Sequence, residues 1–133
     1  GLTALAPGSS SEPPKVLWQE QKLSPATASP LVYEKKVFTV NRAGVLTSAN
    51  PEDGEVVWRL RLKGPFSATP IAAGNHLYLV NEKGLLQVVQ VGADEGKETG
   101  EIDLKETNLA TPAIADNALF LRSDKHLWKI SSK

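Results

Sequence analysis

The sequence predicts an all-β fold in which a four-stranded antiparallel unit is repeated along the chain. The first observation behind this prediction is a short phrase that occurs three times, as Ala28-Ser29-Pro30, Ala68-Thr69-Pro70 and Ala110-Thr111-Pro112. The prolines of successive copies are 40 and 42 residues apart. A fixed period of this length is typical of repeat architectures. Each copy is therefore expected to be one structural unit.

The repeat extends well beyond the prolines. A shift of 40 residues places Trp18 on Trp58 and residues 37–41 on residues 77–81. The third copy follows the same pattern but loses one residue in a turn, at residues 123–125. After this turn a leucine recurs at the same place in all three copies, as Leu46, Leu86 and Leu127.

The second observation is that each repeat divides into four short runs separated by turn residues. In the first full repeat these runs are residues 30–33, 36–41, 45–50 and 55–62. The runs are rich in β-branched and aromatic residues, which favour strands. Gly, Asn, Asp and Pro occupy the turns between them. No segment of ten or more residues combines a hydrophobic period of 3.6 with helix caps, so we expect essentially no helix.

The third observation is that the second run of each repeat is apolar on both faces. These runs are residues 37–40, 76–80 and 118–121. A strand in a sheet with one solvated face would alternate strictly, so continuous apolarity indicates that both faces are covered. Four-stranded antiparallel sheets that repeat about every 40 residues and pack face to face are the blades of a β-propeller.

The repeat pattern divides the chain into an N-terminal arm and a series of blades. Residues 1–14 are rich in Pro, Ser, Gly and Ala and are expected to form a flexible arm or linker. Residues 15–133 are expected to form the propeller. Its parts are a fourth strand at 15–22, blade 1 at 29–63, blade 2 at 69–105 and three strands of blade 3 at 111–131.

The strand at 15–22 aligns only with the fourth strand of a repeat, and the last repeat lacks a fourth strand. We therefore expect residues 15–22 to complete the last blade. They can do so in cis or in a homodimer whose six blades close a ring, and we favour the homodimer because three blades are too few for a ring. The alternative is that the chain is the last part of a larger ring.

Composition narrows the possible partners. The 133 residues suffice for one domain, and 15 basic residues balance 15 acidic ones, so we expect no nucleic-acid partner. Cysteine is absent, which excludes disulfides and thiolate metal sites. No apolar run is long enough for a membrane span, and no signal peptide is visible. Methionine is absent even at position 1, which suggests a piece of a longer polypeptide.

Residues 48–58 resemble the tryptophan-docking motif of the pyrroloquinoline-quinone-like β-propeller repeat family. Ala49, Gly54 and Trp58 match this motif, and Trp18 matches its tryptophan at the start of the chain. The resemblance implies that the tryptophan anchors one blade on the next and that the glycine makes the turn into the fourth strand. The second repeat departs from the motif, because an acidic turn at residues 91–100 replaces it and no tryptophan follows.

The remaining candidate residues favour a structural role over a chemical one. Trp18 and Trp58 could stack on a quinone, but docking between blades is the simpler interpretation, and Trp128 in a third strand is expected to be structural too. His76 and His126 have no ligand cluster at metal spacing around them. The acidic stretches 52–55 and 94–96 lack the alternating pattern of a calcium loop.

The sequence therefore predicts a non-catalytic propeller module that binds a protein partner or itself, without a cofactor, metal site or catalytic residue. The alternative is a part of a dehydrogenase that depends on pyrroloquinoline quinone. Such an enzyme needs an Asp base, calcium ligands and an aromatic clamp, and no position here can be matched to them. The family resemblance implies a bacterial protein of the periplasm or a secreted one. Fold alone does not decide between these functions.

Overall fold

The computed structural model describes residues 1–131, which form thirteen strands and no helix. No segment of this part of the chain is a helix that could span a membrane. The prediction of an all-β chain is thereby confirmed. The strands are β1 Leu2–Ala6, β2 Lys15–Glu20, β3 Leu31–Tyr33, β4 Lys36–Val40, β5 Val45–Ala49, β6 Val56–Arg61, β7 Ile71–Ala73, β8 His76–Val80, β9 Leu85–Val91, β10 Gly96–Asp103, β11 Ala113–Ala115, β12 Ala118–Arg122 and β13 Leu127–Ser131.

The strands form four antiparallel sheets in which sequence neighbours pair. Blade 1 has the order β3-β4-β5-β6 and blade 2 the order β7-β8-β9-β10. Blade 3 contains the three strands β11-β12-β13, and β1 and β2 form a separate two-stranded hairpin. None of these sheets closes on itself, as expected for a fragment of a β-propeller.

The N-terminal hairpin differs from the predicted arm. β1 lies within residues 1–14 and pairs with β2, with Ala4 opposite Trp18 and a β-bulge after Ala4. Blade 1 has the same register, with Ser48 opposite Trp58 and a β-bulge after Ser48. The hairpin thus reproduces the third and fourth strands of a blade. Since β2 already has a third-strand partner in its own chain, residues 15–22 are not a spare strand in this structure.

Two apolar clusters hold the blades together. The first lies between blades 1 and 2 and includes Phe38 and Trp58 from one blade and Leu77, Leu79 and Val89 from the other. The second lies between blades 2 and 3 and includes Val80, Leu86, Leu104 and Leu121. The central strands carry both clusters, because alternate residues of a strand face opposite sides. This double burial explains the continuous apolar runs of the sequence.

A series of hydrogen bonds connects the three copies of the repeated phrase. The Ser29 N–H donates to Thr69 Oγ1 at 2.9 Å, and the Thr69 N–H donates to Thr111 Oγ1 at 3.1 Å. Each hydroxyl residue therefore links the start of one blade to the start of the next. The recurrence of Ser or Thr before the proline has this physical reason.

Candidate functional site

Trp18 lies against the turn that precedes the fourth strand of blade 1. Its indole Nε1–H donates a 2.9 Å hydrogen bond to the Pro51 carbonyl. Gly54 has a φ of +79°, and a Cβ built on it would stand only 2.7 Å from the Trp18 ring. Glycine is required here by the left-handed backbone and by the close ring at the same time. Trp18 thereby connects the N-terminal hairpin to blade 1.

Trp58 makes the equivalent contact between blade 1 and blade 2. A Cβ on Gly96 would stand 2.6 Å from the Trp58 ring, so Gly96 takes the place that Gly54 has for Trp18. The indole is buried, and its centroid lies 5.8 Å from that of Phe38. Its Nε1–H, unlike that of Trp18, has no hydrogen-bond partner among residues 1–131. Ala49, the other residue of the motif, is fully buried beside the bulge of β5.

Blade 2 has no tryptophan at the corresponding position. Its bulge lies between Glu98 and Gly100, with Gly100 opposite Val88. By register, Gly100 occupies the place of Trp58, which lies opposite Ser48. Within residues 1–131, the contact between blades 2 and 3 therefore lacks the packing of an indole on a glycine that Trp18 and Trp58 provide.

The densest group of polar side chains lies around Glu106, between blades 2 and 3. Ser123 Oγ donates to Glu106 Oε2 at 2.6 Å, and Trp128 Nε1–H donates to the same oxygen at 3.2 Å. His126 Nδ1 lies 2.8 Å from the other carboxylate oxygen, Oε1. The Ser123 oxygen also accepts the N–H of His126, which closes the turn between β12 and β13. Glu106 thus joins the connection between the blades to this turn.

This group is not arranged as a nucleophilic triad. In a triad the imidazole bonds the serine hydroxyl and takes its proton, whereas here the Glu106 carboxylate lies between Ser123 and His126. The hydrogen bond from Ser123 lowers the pKa of Glu106, bonds from His126 and Trp128 lower it further, and desolvation opposes them. A lowered pKa makes the carboxylate a weaker base. The arrangement therefore suits a structural role, in which Glu106 holds the turn between β12 and β13 against the connection between the blades.

The other sequence-predicted polar candidates stay apart from this group. His76 Nδ1 contacts the Gly74 carbonyl at 2.7 Å within its own turn. In the acidic stretch 52–55, the Asp53 carboxylate accepts the Glu55 N–H and an amide proton of Asn50. Within the part of the chain that the structure describes, no three His, Cys, Asp or Glu side chains converge as a metal site.

The face of blade 3 that points away from blade 2 carries both apolar and basic side chains. Leu127 is 71% exposed, and Lys129 Nζ lies 5.9 Å from the centroid of Phe120. Arg122 is exposed on the same face. In blade 1 the equivalent positions are fully covered and uncharged: Phe38, Val40, Leu46 and Ser48. Beside this face, the outer edge of β13 pairs with no strand up to residue 131. The sequence predicted that the last repeat lacks a fourth strand, but it did not predict the basic side chains of this face or the Glu106 group, because both depend on contacts between distant segments.

Solved structures show where this fold recurs. BamB from Moraxella catarrhalis has a TM-score of 0.60 at 20% identity, over 72% of this chain and 30% of BamB. Quinohemoprotein alcohol dehydrogenase ADHIIG from Pseudomonas putida HK5 has a TM-score of 0.63 at 13% identity, over 79% of this chain and 18% of the enzyme. A europium-containing methanol dehydrogenase has a TM-score of 0.58 at 12% identity, over 76% and 21% of the two chains. These identities show the fold alone.

The chain spans less than a third of each of these proteins. Among curated proteins, no significant match to the sequence is found. A family model described as outer membrane protein assembly factor BamB matches residues 9–99, which is more than half of the chain. The resemblance to pyrroloquinoline-quinone-like repeats is thereby confirmed, and the chain belongs to the BamB-like family of these β-propeller repeats.

Proposed function

We propose that the chain is a non-catalytic β-propeller module that binds a protein partner through the end of blade 3. The observation that carries this proposal is the outer face of blade 3 together with the open edge of β13. An exposed strand edge can add a strand from another chain through main-chain hydrogen bonds. In blade 1 the equivalent face is covered by the neighbouring blade. The outer face of blade 3 therefore corresponds to a surface that packs against another unit elsewhere in the chain.

The chemistry of this face indicates the kind of partner. Phe120 and Leu127 supply apolar contact area, whereas Arg122 and Lys129 supply positive charge on either side of it. A partner surface that buries the two cations must offer acidic groups, since an unpaired buried charge is costly. We therefore expect a partner strand or loop with apolar and acidic side chains. BamB is described as an assembly factor, which agrees with a role in binding other proteins.

A dehydrogenase function finds no support in the side chains at hand. The three tryptophans are engaged with Pro51 and Gly54, with Gly96, and with Glu106. No group of three His, Cys, Asp or Glu side chains that could hold a metal lies within residues 1–131. These residues do not fit a quinone with its metal, and we derive no step through such a group.

The catalytic question is tested by reconstitution. The chain is mixed with pyrroloquinoline quinone and calcium, and with a range of alcohols and sugars and a redox dye. We expect no dye reduction that depends on substrate. A clear substrate-dependent rate would overturn the non-catalytic assignment.

For self-association, we propose that residues 15–22 of a second copy pair with the edge of β13. Trp18 has the register of a fourth-strand tryptophan, which supports this choice of strand. Because β1 occupies the same edge of β2 within the chain, the exchange requires β1 to be displaced. Exchange of an identical element is a low-cost route to a dimer.

Three versions of the chain test this exchange by light scattering. Deleting residues 1–14 removes β1 and should shift the mass toward the dimer relative to the full chain. Deleting residues 1–22 removes β2 as well and should leave a monomer. A full chain of 14.3 kDa that stays monomeric at high concentration with and without residues 1–14 would contradict the exchange.

A further inference from the structure

An apolar cavity of about 320 Å³, open to solvent, lies between blades 2 and 3, and its walls Ile102 and Ile114 are 43% and 41% exposed. Its walls include Tyr78, Val88 and Ile102 from blade 2 and Ile114, Leu119 and Ile130 from blade 3. The cavity between blades 2 and 3 is large enough for an aromatic ring.

The repeat explains why this cavity exists. Between blades 1 and 2, the rings of Tyr33 and Trp58 both pack in the first apolar cluster. In blade 2 the same two positions are Ala73 and Gly100. Ala73 lines the cavity, and a Cβ built on Gly100 would meet no atom within 4 Å. Two rings that fill one interface are therefore missing from the next.

The missing tyrosine also leaves a hydrogen-bond donor without its acceptor. Between blades 1 and 2, the Tyr33 hydroxyl accepts the N–H of Asn75 at 3.1 Å. Asn117 has the place of Asn75 in blade 3 and lines the cavity. Ala73 offers it no hydroxyl, and no hydrogen bond of the Asn117 N–H is formed within residues 1–131. Asn117 is exposed, so the cavity combines apolar walls with the backbone donor of an exposed residue at its rim.

We propose that this cavity binds a neutral aromatic ligand with one oxygen acceptor, that is, a ligand of the phenol class. The ring takes the space of the missing tyrosine side chain, and the oxygen accepts the Asn117 N–H. Both groups of the site come from one chain. The proposal therefore does not depend on the partner surface of blade 3.

The probe is p-cresol, which is the side chain of tyrosine as a free molecule, and the readout is NMR of the full chain. The chain has four isoleucines, of which Ile102, Ile114 and Ile130 line the cavity and Ile71 does not. We expect saturable shifts of the three lining methyl groups and of the Asn117 amide. A Kd on the order of a millimolar is reasonable for so small a ligand. Toluene, which lacks the oxygen, should bind about fivefold more weakly and should leave the NMR resonance of the Asn117 amide unshifted.

Two matched variants separate this site from nonspecific binding. Ala73→Tyr supplies the ring and hydroxyl from the chain itself and should abolish the p-cresol shifts. Ala115→Tyr places the same side chain at the equivalent position of blade 3. This position is exposed on the face of blade 3 that points away from blade 2, so the variant should leave p-cresol binding unchanged. Should Ala73→Tyr fail to fold, Val88→Phe places a ring in the cavity from another lining residue and serves the same purpose.

The proposal is overturned by any of three results. The lining isoleucines do not shift saturably, they shift no more than Ile71, or the cavity-filling variant that folds still binds p-cresol as the unmodified chain does. Equal affinity for toluene and p-cresol would remove the assignment to phenols.

Discussion

Replacing Trp58 by alanine tests the docking of blade 1 on blade 2. The indole is only 7% exposed and packs on Phe38 and on the backbone of Gly96. Truncation of a large buried aromatic side chain costs about 3–5 kcal/mol of unfolding free energy. The buried indole N–H has no partner within residues 1–131, so its removal relieves a penalty of about 1 kcal/mol or more. We therefore expect a loss of about 3 kcal/mol, at the low end of the range.

Urea unfolding followed by circular dichroism measures this loss, with the slope of the transition as a check that the same cooperative unit unfolds. Trp58→Phe is the matched variant, because it keeps most of the ring and removes the unpaired N–H. It should cost less than Trp58→Ala, because it leaves a smaller cavity. Val57→Ala changes the exposed neighbour on the same strand and should cost well below 1 kcal/mol. A loss below 1 kcal/mol for Trp58→Ala would refute the docking argument.

Two further predictions concern the glycine contacts and the Glu106 group. Gly96→Ala should destabilise the chain, because its Cβ would stand 2.6 Å from the Trp58 ring. Gly100→Ala should have little effect, because its Cβ meets open space. Equal midpoints of urea unfolding for the two variants would contradict this difference. The lowered pKa of Glu106 means that its carboxylate contributes stability above the ordinary value of 4.5 and that this contribution is lost as the pH falls through the folded pKa. The melting temperatures of the unmodified chain and Glu106→Gln should therefore differ near neutral pH and converge as the pH falls through the lowered pKa of Glu106, and a constant difference would show that the charge is not responsible.

The sequence was informative wherever the repeat was regular. The period of 40 residues predicted the position of Trp58 from that of Trp18, and the structure gives both the same register and bulge. The docking glycine of blade 2 is not found with this period. A shift of 42 residues is needed to place Gly54 on Gly96, and the same shift places Trp58 on Gly100, so the tryptophan that would mark the motif is absent.

The features that the sequence did not show depend on contacts between distant segments or on very short ones. Glu106 lies 17 residues from Ser123 and 20 from His126, and its acceptor role has no local pattern. β1 has only five residues beside a Pro- and Ser-rich stretch, too few to establish a period. The shift of 40 residues places Tyr33 on Ala73, but only the structure shows that this tyrosine packs between two blades and that its absence accompanies a cavity.

The hydrogen bonds from Ser29 to Thr69 and from Thr69 to Thr111 both point from one blade to the next along the chain. Thr69 accepts at its hydroxyl and donates at its N–H, so the two contacts of this series run head to tail and use two different surfaces. Contacts of this kind can continue by simple addition of another copy, and they form a ring only when the rotation per copy closes. A repeat could therefore be duplicated or excised between two Ser or Thr positions without creating a new kind of contact. Propellers of different size can arise from such a unit by changes in copy number alone.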